Sequence, residues 1–215
     1  FLSRIARAYL RLCQRDANGN LVSDDDAMQY VADDVERGIT SVRCFVANGA
    51  SGFSESPQQW EDWYFPEKTH DQLRLNNLQL ADHRLRLLLE RFPDVAVQLI
   101  LFPLEGYNRD EHFWTALTAI QRERLLRNLV ARYAAYPQVF WLTTNDAHYG
   151  PKFPNSNAMA REVGEFLMKH DPWQHPRSTG HARRIPFYFD SEPWATYVHI
   201  EHAHDLNAKE YGKYH

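Results

Sequence analysis

QVFWLTTNDAHYG, residues 138–150, is an apolar run that ends abruptly in a polar cluster. Val139-Phe140-Trp141-Leu142 is short, continuous and rich in β-branched and aromatic residues, with Tyr136-Pro137 upstream. That is the pattern of a strand buried on both faces, as in a parallel sheet. Asn145-Asp146, then His148 and Tyr149, follow at its carboxyl end, where open α/β sheets and β/α barrels place their chemistry.

Working upstream, a helix is expected from about Phe113 to Tyr136, leading directly into this strand. Before it, VAVQLILF (95–102) is a second buried strand, tipped by Pro103-Leu104-Glu105-Gly106-Tyr107. Leu73, Leu80, Leu85, Leu88 and Leu89 fit a helix over about 72–92, ended by Pro93-Asp94. ITSVRCFVA (39–47) is a further strand, followed by a long loop rich in aromatics (Trp60, Trp63, Tyr64, Phe65) to His70, and loops of that length usually have a function. Ser23 ahead of Asp24-Asp25-Asp26 reads as the cap and acidic first turn of a helix that Gly38 stops, in preference to a metal site. Leu2, Ile5, Tyr9 and Leu12 stand at helical spacing, so residues 1–14 are expected to form an amphipathic helix.

Downstream, AMAREVGEFLMKH (158–170) is helical, with Asp171-Pro172 as its stop, and RSTGH (177–181) and YVHIEH (197–202) are weaker strand candidates. Strands alternate with helices, which predicts parallel pairing with right-handed crossovers. No GxGxxG turn or GxxxxGK[ST] loop follows any strand, which disfavours dinucleotide and P-loop folds.

The 215 residues are 44% hydrophobic and 24% charged, enough for one sizeable core. A net charge of −4 with scattered basic residues argues against nucleic acid as a partner. Cys13 and Cys44 form neither a metal spacing nor a redox motif, and Cys44 reads as a small buried thiol. No apolar run of about 18 residues is present, so no membrane helix is expected. The chain begins with Phe, which leaves a leader upstream open.

Gly-Ile-Thr-Ser-Val-Arg (38–43), the strand ending FPLEGY and then RYAAYPQVFWLTTND (132–146) together resemble the clan A glycoside hydrolases, more narrowly their apiosidase-like branch. The resemblance runs from about residue 24 to the end and is one of pattern. It implies a TIM (β/α)8 barrel, a carbohydrate substrate in a plant or bacterial polysaccharide, retention of configuration and a secreted or periplasmic setting. In the clan the fourth strand ends in Asn followed by the acid/base, usually Glu; here the pair is Asn145-Asp146. A full barrel has eight strands over about 250 residues. By the family's order the strands counted here are two to six, with the first ahead of Phe1 and the nucleophile on the seventh, after His215. The chain is therefore expected to be a single-domain barrel fragment, or one completed by a partner.

On this reading Asp146 is the general acid/base and Asn145 hydrogen-bonds a sugar hydroxyl. Arg43 could hold a carboxylate ionised through charge-assisted bonds. Glu105, on the rim of the third strand, could bind sugar or act as base in an inverting scheme, and His148, Tyr149 and His181 fall on the same face. No cofactor is expected. A rival signal is HIEHAHD (199–205), where His199, Glu201, His202 and His204 are all ligand types. Strand periodicity splits them between faces, so a metal-dependent hydrolase would use His202 and His204; under the sugar reading Glu201 and its neighbours line the cleft. A third reading is a non-catalytic carbohydrate-binding module derived from the barrel.

Overall fold

Parallel strands paired in the order of the chain define the molecule. The computed structural model describes residues 5–11, 20–47, 57–103, 111–181 and 187–199. The strands are β1 (Ile5–Arg11), β2 (Ser41–Phe45), β3 (Ala96–Pro103), β4 (Val139–Asn145) and β5 (Arg177–Ser178), in sheet order β1-β2-β3-β4-β5. Every neighbour pair is parallel. Helices fill the crossovers: α1 (Asp24–Glu36), α2 (Pro57–Tyr64), α3 (Leu75–Arg91), α4 (Glu111–Ala116), α5 (Ala119–Tyr133) and α6 (Pro154–His170). This is an arc of a β/α barrel, as the alternation of strand and helix predicts.

Residues 1–14 correct the sequence reading. Their described part, Ile5–Arg11, is a strand, with Tyr9, Leu10 and Arg11 opposite Arg43, Cys44 and Phe45. Seven residues are too few for helical spacing to be decisive, and the edge of β2 offers backbone partners that an isolated helix would leave unpaired. The place beside β2 that the family order assigns to a strand ahead of Phe1 is thus taken by β1. At the other end, Tyr197–His199 carry no strand, and 200–202 lie outside the described residues. Thr196 nevertheless runs along β5: its N–H donates to the Arg177 carbonyl at 2.8 Å, and its Oγ1 accepts the Arg177 N–H at 2.8 Å.

The aromatic loop after β2 also reads differently in space. Trp63, Tyr64 and Phe65 are buried at the end of α2, and the Tyr64 hydroxyl donates to the Leu101 carbonyl at 2.6 Å. Tyr64 packs on Phe102 and Phe113, so these rings are core. The helix expected over 113–136 is two helices, because Thr118 caps α5 in a reciprocal box with Gln121. Ser23 caps α1 as its sequence suggests, accepting from Asp26 N, and the buried Arg84 of α3 donates to the carbonyls of Val22 and Ser23. Cys44 is buried and free, and burial raises its thiol far above the ordinary range.

Asp171, which looks like a plain helix stop, is buried and accepts four hydrogen bonds. They come from Trp141 Nε1 (2.8 Å), Trp173 N (3.1 Å), His175 N (3.0 Å) and His175 Nδ1 (2.9 Å). Burial alone would raise its carboxyl, but the bonds from Trp141 and His175 outweigh it and hold the group below its ordinary value. On the same helix Gly164 lets the buried Trp194 indole lie directly on α6: a Cβ there would come 2.3 Å from two ring atoms. Gly164→Ala is expected to cost about 1–3 kcal/mol through overpacking, read as a lowered denaturant midpoint at unchanged m-value. A midpoint equal to wild type would mean that the indole can shift without loss.

Candidate active site

The carboxyl end of β4 carries an irregularity that decides where its polar residues point. Trp141 and Leu142 pair with Arg177 and Ser178, and the next bridge joins Ala147 to His181. From Leu142 to Ala147 the β4 side advances five residues while the β5 side, Ser178 to His181, advances three. The surplus forms a bulge at Asn145-Asp146, with Asp146 in the left-handed region at φ 50°. Asp is one of the few side chains that tolerates this conformation. Backbone bonds close the bulge on either side: Gly180 N donates to Thr144 O at 2.8 Å and Ala147 N donates to Gly180 O at 3.2 Å. Bulges of this kind re-aim side chains beside functional sites.

Register places Arg43, Gln98 and Phe140 on one face of the sheet. The buried Arg43 guanidinium donates through Nη2 to Asn145 Oδ1 at 2.6 Å, tying β2 to the bulge. Asn145 is fully buried, and its amide nitrogen has no partner among the described residues. Asp146 is half-buried at the rim. Opposite, Tyr197 accepts from Gln98 Nε2 at 3.0 Å, donates to the Trp141 carbonyl at 2.9 Å and meets the Phe140 ring edge-on. Burial raises the Tyr197 phenol well above its ordinary range. His199 is half-buried with Nδ1 3.4 Å from Gln98 Nε2. Its imidazole is pushed down to about 3 by burial and by the Arg43 charge, against an opposing pull from Asp146. His199 is therefore uncharged at neutral pH.

Behind the bulge lies a ring of three buried hydroxyls. Thr144 Oγ1 bonds the Tyr149 hydroxyl and lies 2.7 Å from Thr179 Oγ1, which is 2.5 Å from the Tyr149 hydroxyl. His181 is buried among Tyr149, Phe187 and Phe189, and its Nε2 accepts the Tyr188 N–H at 3.3 Å. Burial pushes it down to about 4. Tyr149 and His181 are thus buried with their rings edge-on at 4.8 Å, while His148 is half-buried and stacks on Phe153 at 5.3 Å. Glu105, Glu201, His202 and His204 lie outside the described residues. Among the described residues no group of three or more His, Cys, Asp or Glu side chains gathers as a metal site.

A depressed histidine has a fixed sign in its effect on stability. Between the unfolded value near 6.5 and the folded value the unfolded chain binds more protons, so folding weakens as pH falls through that window. For His181, folded near 4, the loss approaches about 1.4 kcal/mol per pH unit between pH 6 and 4. Denaturant melts at pH 7, 5.5 and 4.5 are expected to show it, with a smaller fall in His181→Gln; parallel curves for the two proteins would remove His181 as the cause.

The sequence reading missed Gln98 and Gly180. A lone amide inside the apolar run VAVQLILF was a usable signal for the first, whereas Gly180 matters only through its cross-strand partner.

No protein-family model and no curated protein matches the sequence. Solved structures do. A putative glycoside hydrolase from Bacteroides vulgatus superposes at TM-score 0.62 and 18% identity, over 93% of this chain and 39% of that one. A family 5 glycoside hydrolase from the same organism gives 0.54 at 12%, over 81% and 36%. A family 5 mannosidase from Rhizomucor miehei, solved with mannosyl-fructose, gives 0.55 at 12%, over 86% and 51%. The chain spans about half or less of each of these proteins. At such identities the likeness is one of fold, and the chain forms an arc of the β/α barrel on which these glycoside hydrolases are built.

Proposed function

We propose that this chain carries the acid/base half of a retaining glycoside hydrolase site of clan A type, in the apiosidase-like branch. Its substrate would be an O-glycosidic bond in a plant or bacterial polysaccharide. The observation that carries the reading is the bulge at the end of β4, which presents Asp146 at the rim beside an Asn145 held by Arg43. Carbohydrate as the ligand class is supported by the mannosyl-fructose bound in one structural neighbour.

Asp146 would protonate the departing glycosidic oxygen and then deprotonate the incoming water. Arg43 orients Asn145, and Asn145, Arg43, His148, Tyr149 and His181 form or support the sugar cleft, to which Glu105 and Glu201 would add. The neutral His199 beside Asp146 can exchange a hydrogen bond with the carboxyl or the sugar without adding a charge. A second carboxylate, about 5 Å from the first in a retaining enzyme, would come from a later strand of the complete barrel.

The test is hydrolysis of a panel of aryl glycosides and plant polysaccharides by the full-length protein, with proton NMR of the first-formed anomer. Retained configuration is expected. An inverted product would overturn retention, and no turnover on any member would overturn the glycosidase reading.

A further inference from the structure

The bulge that carries Asp146 has a floor, and the floor is Gly180. A Cβ at Gly180 would lie 2.9 Å from Thr144 O, 3.1 Å from Asn145 Cα and 3.3 Å from Asp146 N. All three are backbone atoms of the bulge, so none can swing aside as a side chain would. The N–H and C=O of the same glycine make the two rungs that straddle Asp146, to Thr144 O and from Ala147 N. The hydroxyl ring of Thr144, Tyr149 and Thr179 clamps the residues on either side of these rungs.

We propose that Gly180 is a positioning residue, and that with the Thr144–Tyr149–Thr179 hydroxyl ring it fixes the height and direction of the Asp146 carboxyl for proton transfer. A methyl group at 180 must either lift the bulge or break a rung, and both displace Asp146. The inference rests on the proposed role of Asp146. A displacement of about 1 Å is enough to cost up to about 10²-fold in rate.

The experiment compares Gly180→Ala with wild type in the full-length protein, on a glycoside with a poor leaving group and on an activated aryl glycoside. The activated substrate needs little protonation, so a misplaced acid is felt on the first only. Gly180→Ala is expected to lose about 10²-fold in kcat on the poor leaving group, with KM within about two-fold, and far less on the activated one. Gly164→Ala, more tightly overpacked but against Trp194, should lower stability without any leaving-group dependence. Equal losses of Gly180→Ala on both substrates, or none, would overturn the proposal. Should Gly180→Ala fail to fold, Thr179→Val loosens the same brace without adding volume; a loss independent of leaving group there would overturn it as well. If wild type hydrolyses no glycoside, the glycosidase reading fails by itself. The positioning role is then read from the carbon-13 titration of the Asp146 carboxyl, and a midpoint unmoved by Gly180→Ala would reject it.

Discussion

Asp146→Asn is expected to lower turnover of glycosides with poor leaving groups by about 10²–10⁴-fold in the full-length protein, the usual worth of a positioned general acid. The amide keeps the size of the carboxyl, so the left-handed turn, which Asn tolerates as well as Asp, is preserved. Melting behaviour should therefore stay close to wild type. Loss should shrink on activated aryl glycosides, whose departure needs no proton, and the basic limb of the pH profile should disappear. Turnover near wild type on a poor leaving group would remove Asp146 from the proton-transfer step. A uniform loss with a lowered melting point would instead mark it as a structural residue of the bulge.

The largest stability effect is expected away from the rim. Asp171→Ala should cost about 3–5 kcal/mol at pH 7, because it strands the buried Trp141 indole N–H and the buried His175 backbone N–H, and removes the acceptor of the more exposed Trp173 N–H as well. The pH dependence has the opposite origin from that of His181. The Asp171 carboxyl is held below its ordinary value, so its contribution is complete above the unfolded value near 4 and is lost as pH falls through the folded one. Denaturant unfolding followed by the fluorescence of Trp141 and its neighbours should show the wild-type advantage over Asp171→Ala at pH 7 and its decline below pH 4. A difference under about 1 kcal/mol at pH 7 would mean that water or a rotated His175 replaces the carboxylate.

The residues explain which of these features could be read in advance. Strands β2, β3 and β4 are mainly apolar runs buried on both faces, interrupted by Arg43 and Gln98, and their helices carry caps such as Ser23 with Asp26, so local signals and tertiary structure agree there. The helical spacing of Leu2, Ile5, Tyr9 and Leu12 does not decide β1, because its pairing with Arg43–Phe45 is set by the sheet. Asp146 could be picked out because a polar cluster at a strand's carboxyl end is a positional signal. The bulge, the Gly180 floor and the hydroxyl ring could not, since each depends on the slip of register between β4 and β5. Asp171 looked like a helix stop because the Trp141 indole that it binds lies 30 residues earlier in the chain.

The order of the sheet bears on how such a protein acquires its shape. Each strand lies against its immediate predecessor, with paired residues 34 (Tyr9, Arg43), 55 (Ser41, Ala96), 42 (Val97, Val139) and 36 (Trp141, Arg177) positions apart. These separations differ by less than a factor of two, so the entropy of closing one crossover differs from that of the next by under about 0.6 kcal/mol. No pairing among β1–β5 waits for a segment made much later. The arc can grow strand by strand as the chain leaves the ribosome, each new β/α unit docking on an edge already in place. Asp146 would then be aimed only after β5 arrives, since Gly180 completes the bulge that holds it.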